Sequence, residues 1–208
     1  MPSTRSTLSL IIPTIGRSSL RLVVSDALAQ MRGGDSVVIV WDPIDRNQVP
    51  NMGDAVFGNE WRAPGVGIWF HQLADPAHDY GCTACDYGIG MANGDHVFFI
   101  GDDDRIPPGA LDSIRAGVSK APDMPHLFAM QHTGRVLANS LVCGEVSGQQ
   151  IVVPRDMAKM PKMTAFNPGE LAVSDWRFIQ NVEKAWGKIV MHDDLIAILP
   201  RMNQGRML

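Results

Sequence analysis

Short apolar runs alternate with amphipathic stretches along the first half of the chain. Residues 8–12 and 36–41 are almost entirely apolar, which is typical of strands buried on both faces. Between them, apolar side chains recur at helical spacing from Leu20 to Met31, and this pattern stops at a Gly-Gly pair. A strand, a helix and a second buried strand in this order predict a βαβ unit and, with it, a parallel sheet.

The same reasoning predicts the remaining elements. Further strands are expected where apolar runs recur, at residues 66–73, 96–100, 126–133, 135–142 and 149–154, with one or two more within 187–201. Further helices are expected at residues 82–92, from Pro107 or Pro108 onward, and at 174–186, where Ser174 is a suitable N-cap. Residues 43–66 have no clear period and are predicted to form a loop. The strands after residue 117 follow one another like hairpins, so we expect a mixed sheet.

Length and composition narrow the class of protein. The chain has 208 residues, 45% of them hydrophobic, which suits one globular domain with a sizeable core. The formal net charge of -4 gives no sign of a protein that binds a phosphate backbone. Three cysteines, no visible signal peptide and no apolar stretch long enough to span a bilayer predict a reduced, cytoplasmic protein.

Three consecutive carboxylates follow the apolar run at 96–100. Asp102, Asp103 and Asp104 repel one another, and they stand at the carboxyl end of a strand, where ligands bind in open α/β sheets. Residues i and i+2 of an extended segment point the same way, so Asp102 and Asp104 can converge on a hard cation such as Mg²⁺ or Mn²⁺. The alternative is that the aspartates only precede the positive end of the next helix, for which one aspartate would be enough.

Other familiar motifs are excluded or set aside. The sequence has no G-x-x-x-x-G-K-[ST], so it contains no P-loop. Gly88, Gly90 and Gly94 miss the spacing of a dinucleotide fingerprint and lie at the end of a predicted helix, so a Rossmann dinucleotide site is rejected. Cys82 and Cys85 form a C-x-x-C, but the chain has only one further cysteine, and the pair is interpreted as packing residues.

Three segments, in this order and spacing, resemble the GT-A type glycosyltransferases, specifically the large family 2 of inverting enzymes. They are "IIPTIGR" in the first strand and loop, the second strand ending at Asp42, and "ACDYGIGMANGDHVFFIGDDDRIPPGAL". The resemblance covers residues 8–111 and, more weakly, extends to about 192. It implies an α/β fold: a single Rossmann-like GT-A domain over residues 1–208, whose mixed, mainly parallel central sheet is flanked by helices. Residues 1–104 would form the donor-binding half and residues 105–208 the acceptor-side half.

The resemblance also implies which residues bind the donor. Those that would contact the nucleotide sugar are Pro13, Thr14, Arg17, Asp42, Asp102 and Asp103. Asp42 would accept hydrogen bonds from the base, commonly uracil, and Asp102 would reach the ribose or the sugar. The expected donor is therefore a nucleoside diphosphate sugar, in particular a UDP-sugar.

A metal and a catalytic base follow from the same resemblance. Asp102 and Asp104 would be the outer members of a D-x-D motif, with Asp104 as the direct ligand of Mn²⁺ or Mg²⁺ and His192 as a further metal ligand. The alternative is that His192 is structural, as a lone histidine more often is. The metal would neutralise the leaving diphosphate. Asp175, at a predicted helix start, would take the proton from the acceptor hydroxyl; its alternative role is that of a plain acid at a helix N-terminus.

A few positions depart from the family pattern. Cys85 and Asp86 stand where the family has a basic residue followed by Asn, and Arg17 or Arg105 is the candidate replacement for the missing basic group. Gly101 occupies the place of an additional Asp in many members. The family's Asp-Gly-Ser turn is missing, since a proline follows Asp42.

The predicted function is that of a metal-dependent inverting glycosyltransferase that acts on a hydroxyl acceptor. The chain is short and leaves little room for an elaborate acceptor-binding domain, so we expect the acceptor to be a macromolecule (a protein, a modified nucleic acid or a glycan). So short an enzyme would suit a bacterial or phage genome. One alternative is a Mg²⁺-dependent nucleotidyl- or phosphotransferase, against which the single Gly and single Arg of "PTIGRSS" argue. The other is a non-catalytic protein that binds nucleotide sugars.

Overall fold

The computed structural model describes residues 6–43, 62–164 and 173–200. The strands in these ranges are β1 (Leu8–Thr14), β2 (Ser36–Trp41), β3 (Gly67–Gln72), β4 (His96–Phe99), β5 (His126–His132), β6 (Arg135–Leu137), β7 (Ile151–Pro154) and β8 (Val190–Leu199). The α-helices are α1 (Leu20–Leu28), α2 (Cys82–Met91), α3 (Ala110–Val118) and α4 (Ser174–Trp186), and a 3₁₀ turn covers Gly148–Gln150. No helix in the described ranges has the length and apolar character needed to cross a bilayer.

All eight strands belong to one mixed sheet. Its order is β3-β2-β1-β4-β7-β5-β6, and β8 pairs with β5. The first four strands in this order are parallel; α1 lies in the connection from β1 to β2, and α2 lies in the connection from β3 to β4. β7 runs antiparallel to both β4 and β5, and β8 runs parallel to β5. The predicted mixed sheet is confirmed.

Two apolar layers cover the faces of the sheet. Side chains of β1 alternate between them: Leu10 and Ile12 pack towards α1 and α3, whereas Ile11 packs towards α2 and α4. Burial of each such side chain contributes about 1.5–3 kcal/mol to folding. The continuous apolar runs of β1 and β2 therefore reflect strands buried on both faces.

The second half of the chain differs in detail from the prediction. The strand expected at 135–142 ends at Leu137, because Asn139 adopts a φ of +51° and the Ser140 hydroxyl turns back to bond Glu145. The run at 149–154 forms a strand only from Ile151 onward. Of the one or two strands expected within 187–201, the described residues form one, in agreement with the prediction. Most of the loop predicted at 43–66 lies outside the described residues.

Candidate active site

The carboxyl ends of β1, β2 and β4 open into a cleft of about 640 Å³. The register explains why: Thr14 at the end of β1 lies opposite Trp41 at the end of β2, and Ile11 lies opposite Phe99 in β4. The start of α2, the first turn of α4 and the 3₁₀ turn close the other sides. Seven residues assigned from the sequence line this cleft: Pro13, Thr14, Arg17, Asp42, Asp102, Asp103 and Asp175.

Asp102 is held by the loop that follows β1. The carboxylate is 1% exposed. It accepts hydrogen bonds from the Thr14 hydroxyl (2.6 Å) and the Ile15 N–H (3.3 Å), and it is paired with the Arg17 guanidinium. These donors satisfy Asp102 from a segment more than 80 positions away in sequence, so the carboxylate fixes the "PTIGR" loop against the end of β4.

The side chain of Asp103 points towards the cleft. It is 43% exposed and lies 3.6 Å from Arg17. Arg17 thus stands between two carboxylates and is the only arginine or lysine among the described residues that line the cleft. We expect its charge to be largely neutralised in this state.

Asp104 occupies a different environment from its two neighbours. It is 3% exposed and accepts hydrogen bonds from two uncharged donors, the Gly101 N–H (2.8 Å) and the Gln149 amide (3.2 Å). In the described part of the chain, no basic side chain forms an ion pair with it. Burial, reinforced by the nearby charge of Asp103, raises the pKa of Asp104 to about 7. A cation beside Asp104 would relieve this cost of burying its charge.

Asp42 joins β2 to the turn at residues 77–81. Its Oδ1 accepts a hydrogen bond from the Ala77 N–H (2.8 Å). Within the turn, His78 and Tyr80 have φ values of +52° and +57°, which are uncommon for residues other than glycine and cost about 1–3 kcal/mol each. Both side chains line the cleft, and Tyr80 is 86% exposed. The sequence gives no signal for this strained turn.

Asp175 faces the cleft from the first turn of α4. Its Oδ2 accepts a hydrogen bond from the Ser147 hydroxyl (2.9 Å). Gly148 is packed against the same carboxylate, since a Cβ at residue 148 would lie 3.2 Å from the Asp175 Oδ1. Neither Ser147 nor Gly148 was identified from the sequence as part of the site.

His192 lies away from the cleft. Its Nε2 is 2.8 Å from the Nδ1 of His126, at the start of β5 and β8. β8 bridges to Arg105, next to the carboxylate loop, at Ile198. An extended segment from residue 192 to residue 198 spans about 20 Å. The expectation that His192 shares a cation with the two aspartates is therefore corrected. The sequence predicts that His192 belongs to a strand, but it does not predict the distance between that histidine and the carboxylates.

The unusual Cys85-Asp86 pair has structural roles. Asp86 accepts hydrogen bonds from the N–H groups of Met163 (2.6 Å) and Thr164 (3.0 Å), so it anchors that segment to α2 instead of facing a phosphate. Cys82 and Cys85 are buried at the back of the cleft. Burial raises the pKa of the Cys82 thiol to about 11 and that of Cys85 well above its ordinary value, which disfavours either as a nucleophile.

Comparison with known proteins identifies the fold. No model of a protein family and no curated protein sequence matches the chain. Among solved structures, the chain is similar to S. aureus TarS 1–349, with a TM-score of 0.70 and 13% identity over 93% of this chain and 60% of that one. It is also similar to TarS 1–349 in complex with UDP-GlcNAc (TM-score 0.69, 15% identity, 94% of this chain and 58% of that one). TarS 1–349 in complex with UDP gives a TM-score of 0.67 and 16% identity over 93% of this chain and 60% of that one.

This similarity confirms the predicted fold class, an α/β architecture with a mixed, mainly parallel central sheet flanked by helices, and shows that the chain shares the fold of TarS 1–349. The chain spans about 60% of the length of TarS 1–349. The TM-scores of 0.67–0.70 establish the shared fold, and at 13–16% identity the similarity extends no further than the fold.

Proposed function

We propose that the protein is a glycosyltransferase that transfers a sugar from a nucleoside diphosphate sugar, specifically a UDP-sugar, to a hydroxyl acceptor. The observation that carries this proposal is a buried carboxylate, Asp104, without a basic partner in the described residues, beside a cleft that Asp175 faces from another element. The similarity to a fold solved with UDP-GlcNAc and with UDP supports the choice of donor.

The charges around the cleft support dependence on Mn²⁺ or Mg²⁺. Four aspartates and one arginine are found among the described lining residues, so an anionic diphosphate would be repelled without a cation. Within the described ranges, no three His, Cys, Asp or Glu side chains are grouped to hold a metal alone. A cation that takes further ligands from the diphosphate needs only one or two carboxylates. Asp104 fits that donor set, with Asp102 beside it, and the bound metal would supply charge neutralisation of the leaving group.

The donor would be held by the residues around β1 and β2. Asp42 offers the carboxylate that the resemblance assigns to the base, and the Asp102–Arg17 pair would face the ribose and phosphates. Arg17 is half-exposed, so it can turn from Asp103 towards a phosphate when the donor enters.

Asp175 would act as the general base of an inverting transfer. Such a displacement needs one group to take the proton of the acceptor hydroxyl while the diphosphate leaves from the opposite face of the sugar. No protein nucleophile is required, which agrees with the protonated state expected for the two cleft cysteines. The acceptor class and a cytoplasmic location remain predictions from the sequence.

The proposal is tested by incubating the protein with UDP-sugars and candidate acceptors, with and without Mn²⁺, and measuring UDP release and acceptor mass. Asp175→Asn should retain donor binding in calorimetry and lose transfer by about 10²–10⁴-fold, because the general base is removed. Unchanged transfer by this variant would exclude Asp175 from the mechanism. Pyrophosphate release from a nucleoside triphosphate would instead support a nucleotidyltransferase.

A further inference from the structure

The 3₁₀ turn at Gly148–Gln150 is anchored from inside the protein. Gln150 is 1% exposed, and its Oε1 accepts a hydrogen bond from the Ser147 N–H (2.9 Å). Its Nε2 donates to the carbonyl oxygens of Phe128 (3.0 Å) and Leu137 (3.2 Å). Every polar atom of this buried side chain is satisfied, so Gln150 fixes the turn to β5 and β6.

Two side chains extend from this fixed turn to carboxylates on different elements. The Gln149 Nε2 donates to the Asp104 Oδ2 (3.2 Å), and the Ser147 hydroxyl lies 2.9 Å from the Asp175 Oδ2. The same hydroxyl also contacts the Gln149 Oε1. The four side chains form one continuous bridge from the proposed cation ligand to the proposed base.

The Ser147 hydroxyl has one proton and two acceptors. While Gln149 donates to Asp104, its Oε1 faces Ser147 and competes with Asp175 for that proton. An amide released from Asp104 can rotate and donate its N–H to the Ser147 oxygen. The Ser147 proton is then available to Asp175 alone.

We propose that Gln149 and Ser147 are positioning residues that couple Asp104 to Asp175. When Asp104 ligates the cation of the donor complex, Gln149 leaves Asp104 and the Ser147 hydroxyl donates to Asp175. One carboxylate oxygen of Asp175 is then held, and the other faces the acceptor hydroxyl. The inference rests on the proposed function, because it assigns the cation to Asp104 and the base role to Asp175.

The coupling is tested by titrating Mn²⁺ into the protein saturated with UDP, using calorimetry. Gln149→Leu removes the competing amide and should tighten Mn²⁺ binding by a few-fold. Ser147→Ala should weaken Mn²⁺ binding by about threefold in the parent chain. In the cation-bound arrangement the hydroxyl donates to Asp175 and accepts from the Gln149 amide, whereas in the cation-free arrangement it makes only one of these side-chain hydrogen bonds, as a donor. In the Gln149→Leu background the same substitution should have no effect. Both substitutions are uncharged, so through-space electrostatics does not produce this pattern.

Steady-state kinetics supplies the second readout. Ser147→Ala should lower kcat for transfer by about 10-fold or more while the donor KM changes by less than about threefold, because the hydroxyl orients Asp175 and not the donor. Ser147→Thr keeps the hydroxyl and should restore most of kcat. Ser113→Ala is the matched control: it removes a hydroxyl bonded to Asp194 on the exposed surface and should leave kcat unchanged.

The outcomes separate this inference from the proposed function. If the parent chain binds neither UDP nor Mn²⁺, the proposed function and the bridge both fail. If the parent binds and transfers, but Ser147→Ala has equal effects on Mn²⁺ affinity in the two backgrounds, only the bridge is overturned. A loss of thermal stability in Ser147→Ala with unchanged kcat would likewise reduce Ser147 to a structural role.

Discussion

Asp102 and Asp104 show how two carboxylates of one loop are given different tasks. Asp102 is buried beside a cationic partner and accepts hydrogen bonds from a hydroxyl and a backbone amide, so its burial is compensated. Asp104 is buried with uncharged donors only, which leaves the cost of its charge uncompensated. Asp102 therefore holds the loop after β1 in place, whereas a cation bound at Asp104 would compensate the burial of its charge.

We expect Asp104→Asn to stabilise the cation-free protein at alkaline pH. The folded-state pKa of Asp104, about 7, lies above its ordinary value of 3.8, so the folded protein holds this proton more tightly than the unfolded chain. The stabilisation that comes from this difference in proton affinity is complete below pH 3.8 and is lost as the pH rises through 7. Asparagine is neutral throughout, so the variant should gain about 1–3 kcal/mol at pH 8 and nothing near pH 4. Urea unfolding in the presence of EDTA, at pH 8 and at pH 4, measures both stability changes.

The control for this prediction is Asp103→Asn, whose carboxylate is largely solvated. It removes only the neighbouring charge and leaves Asp104 buried, so it should gain clearly less stability at pH 8 than Asp104→Asn and change stability by less than about 0.5 kcal/mol at pH 4. An Asp104→Asn variant with the same stability change at pH 4 and pH 8 would contradict the assigned environment of Asp104.

The location of candidate functional side chains could be predicted from the sequence where these residues directly follow a strand. The three aspartates could be placed at the carboxyl end of a strand because an apolar run precedes them directly. Their partners could not be predicted, since Thr14 and Gln149 lie 88 and 45 positions away from the aspartates they bond. The error on His192 has the same origin: the position of a side chain along β8 depends on pairing with β5, a nonlocal contact.

At the level of elements, α2 packs on β1 through a glycine. A Cβ at Gly88 would lie 2.5 Å from the Cγ2 of Ile11, a buried core residue. Gly90, on the same helix, has open space around its Cα. The glycines that nearly matched a dinucleotide fingerprint are thus explained in part by close packing of a helix on the sheet.

These two glycines give a matched pair of substitutions. Gly88→Ala should destabilise the protein by about 1–3 kcal/mol, because α2 must move away from β1. Gly90→Ala should be neutral or stabilise it by up to about 1 kcal/mol, since alanine favours the helix and meets no obstacle. Thermal or urea unfolding of both variants measures the difference. Equal effects would mean that α2 does not pack closely on β1.

The starts of β5 and β8 are joined by a histidine pair that remains uncharged. His126 donates its Nε2–H to the Ala121 carbonyl (2.9 Å), so its Nδ1 accepts from His192. Burial lowers the pKa of His126 to about 4, from an ordinary value of 6.5. The folded state binds this proton less readily than the unfolded chain, so the stability is complete above pH 6.5 and decreases as the pH falls towards 4.

We expect the free energy of unfolding to fall by about 1 kcal/mol between pH 7.5 and pH 5.5 on account of His126. His126→Gln should reduce this dependence even where it lowers stability at pH 7.5, because no titrating ring remains at that position. Urea midpoints at the two pH values, for the parent and the variant, provide the measurement. An identical pH dependence in both proteins would assign the effect to other groups.

The positions of the buried strands could be predicted from the sequence, whereas the partners with which they pair could not. β1, β2 and β4 appear as short apolar runs that end near recognisable turn residues. β5, in contrast, pairs with β6, β7 and β8, and nothing local specifies three partners. The short length of β6 depends on a turn stabilised by Ser140 and Glu145, which the apolar pattern does not contain.

At the scale of the whole molecule, the cleft forms where strand order reverses. β1 lies between β2 and β4, so the chain leaves β1 in one direction and later returns on its other side. The loops after these strands separate at this point, and such a crevice is where open α/β sheets bind ligands. Asp42 and the aspartates after β4 meet there because the parallel strands β2 and β4 end at the same edge, and Asp175 is added from the first turn of α4.

This arrangement predicts that UDP and a divalent cation stabilise the protein cooperatively. A ligand at 100 times its dissociation constant contributes about 2.7 kcal/mol, which for a chain of this size raises Tm by roughly 5–10 °C. We expect UDP with Mn²⁺ to give a shift of this order, and UDP or Mn²⁺ alone to give much less, because the acidic cleft repels a bare diphosphate. In Asp104→Ala the effect of Mn²⁺ should disappear while a small effect of UDP remains. If Mn²⁺ and Mg²⁺ leave the UDP-induced shift of the parent unchanged, the cation has no place at Asp104, and the carboxylates after β4 must be explained by folding alone.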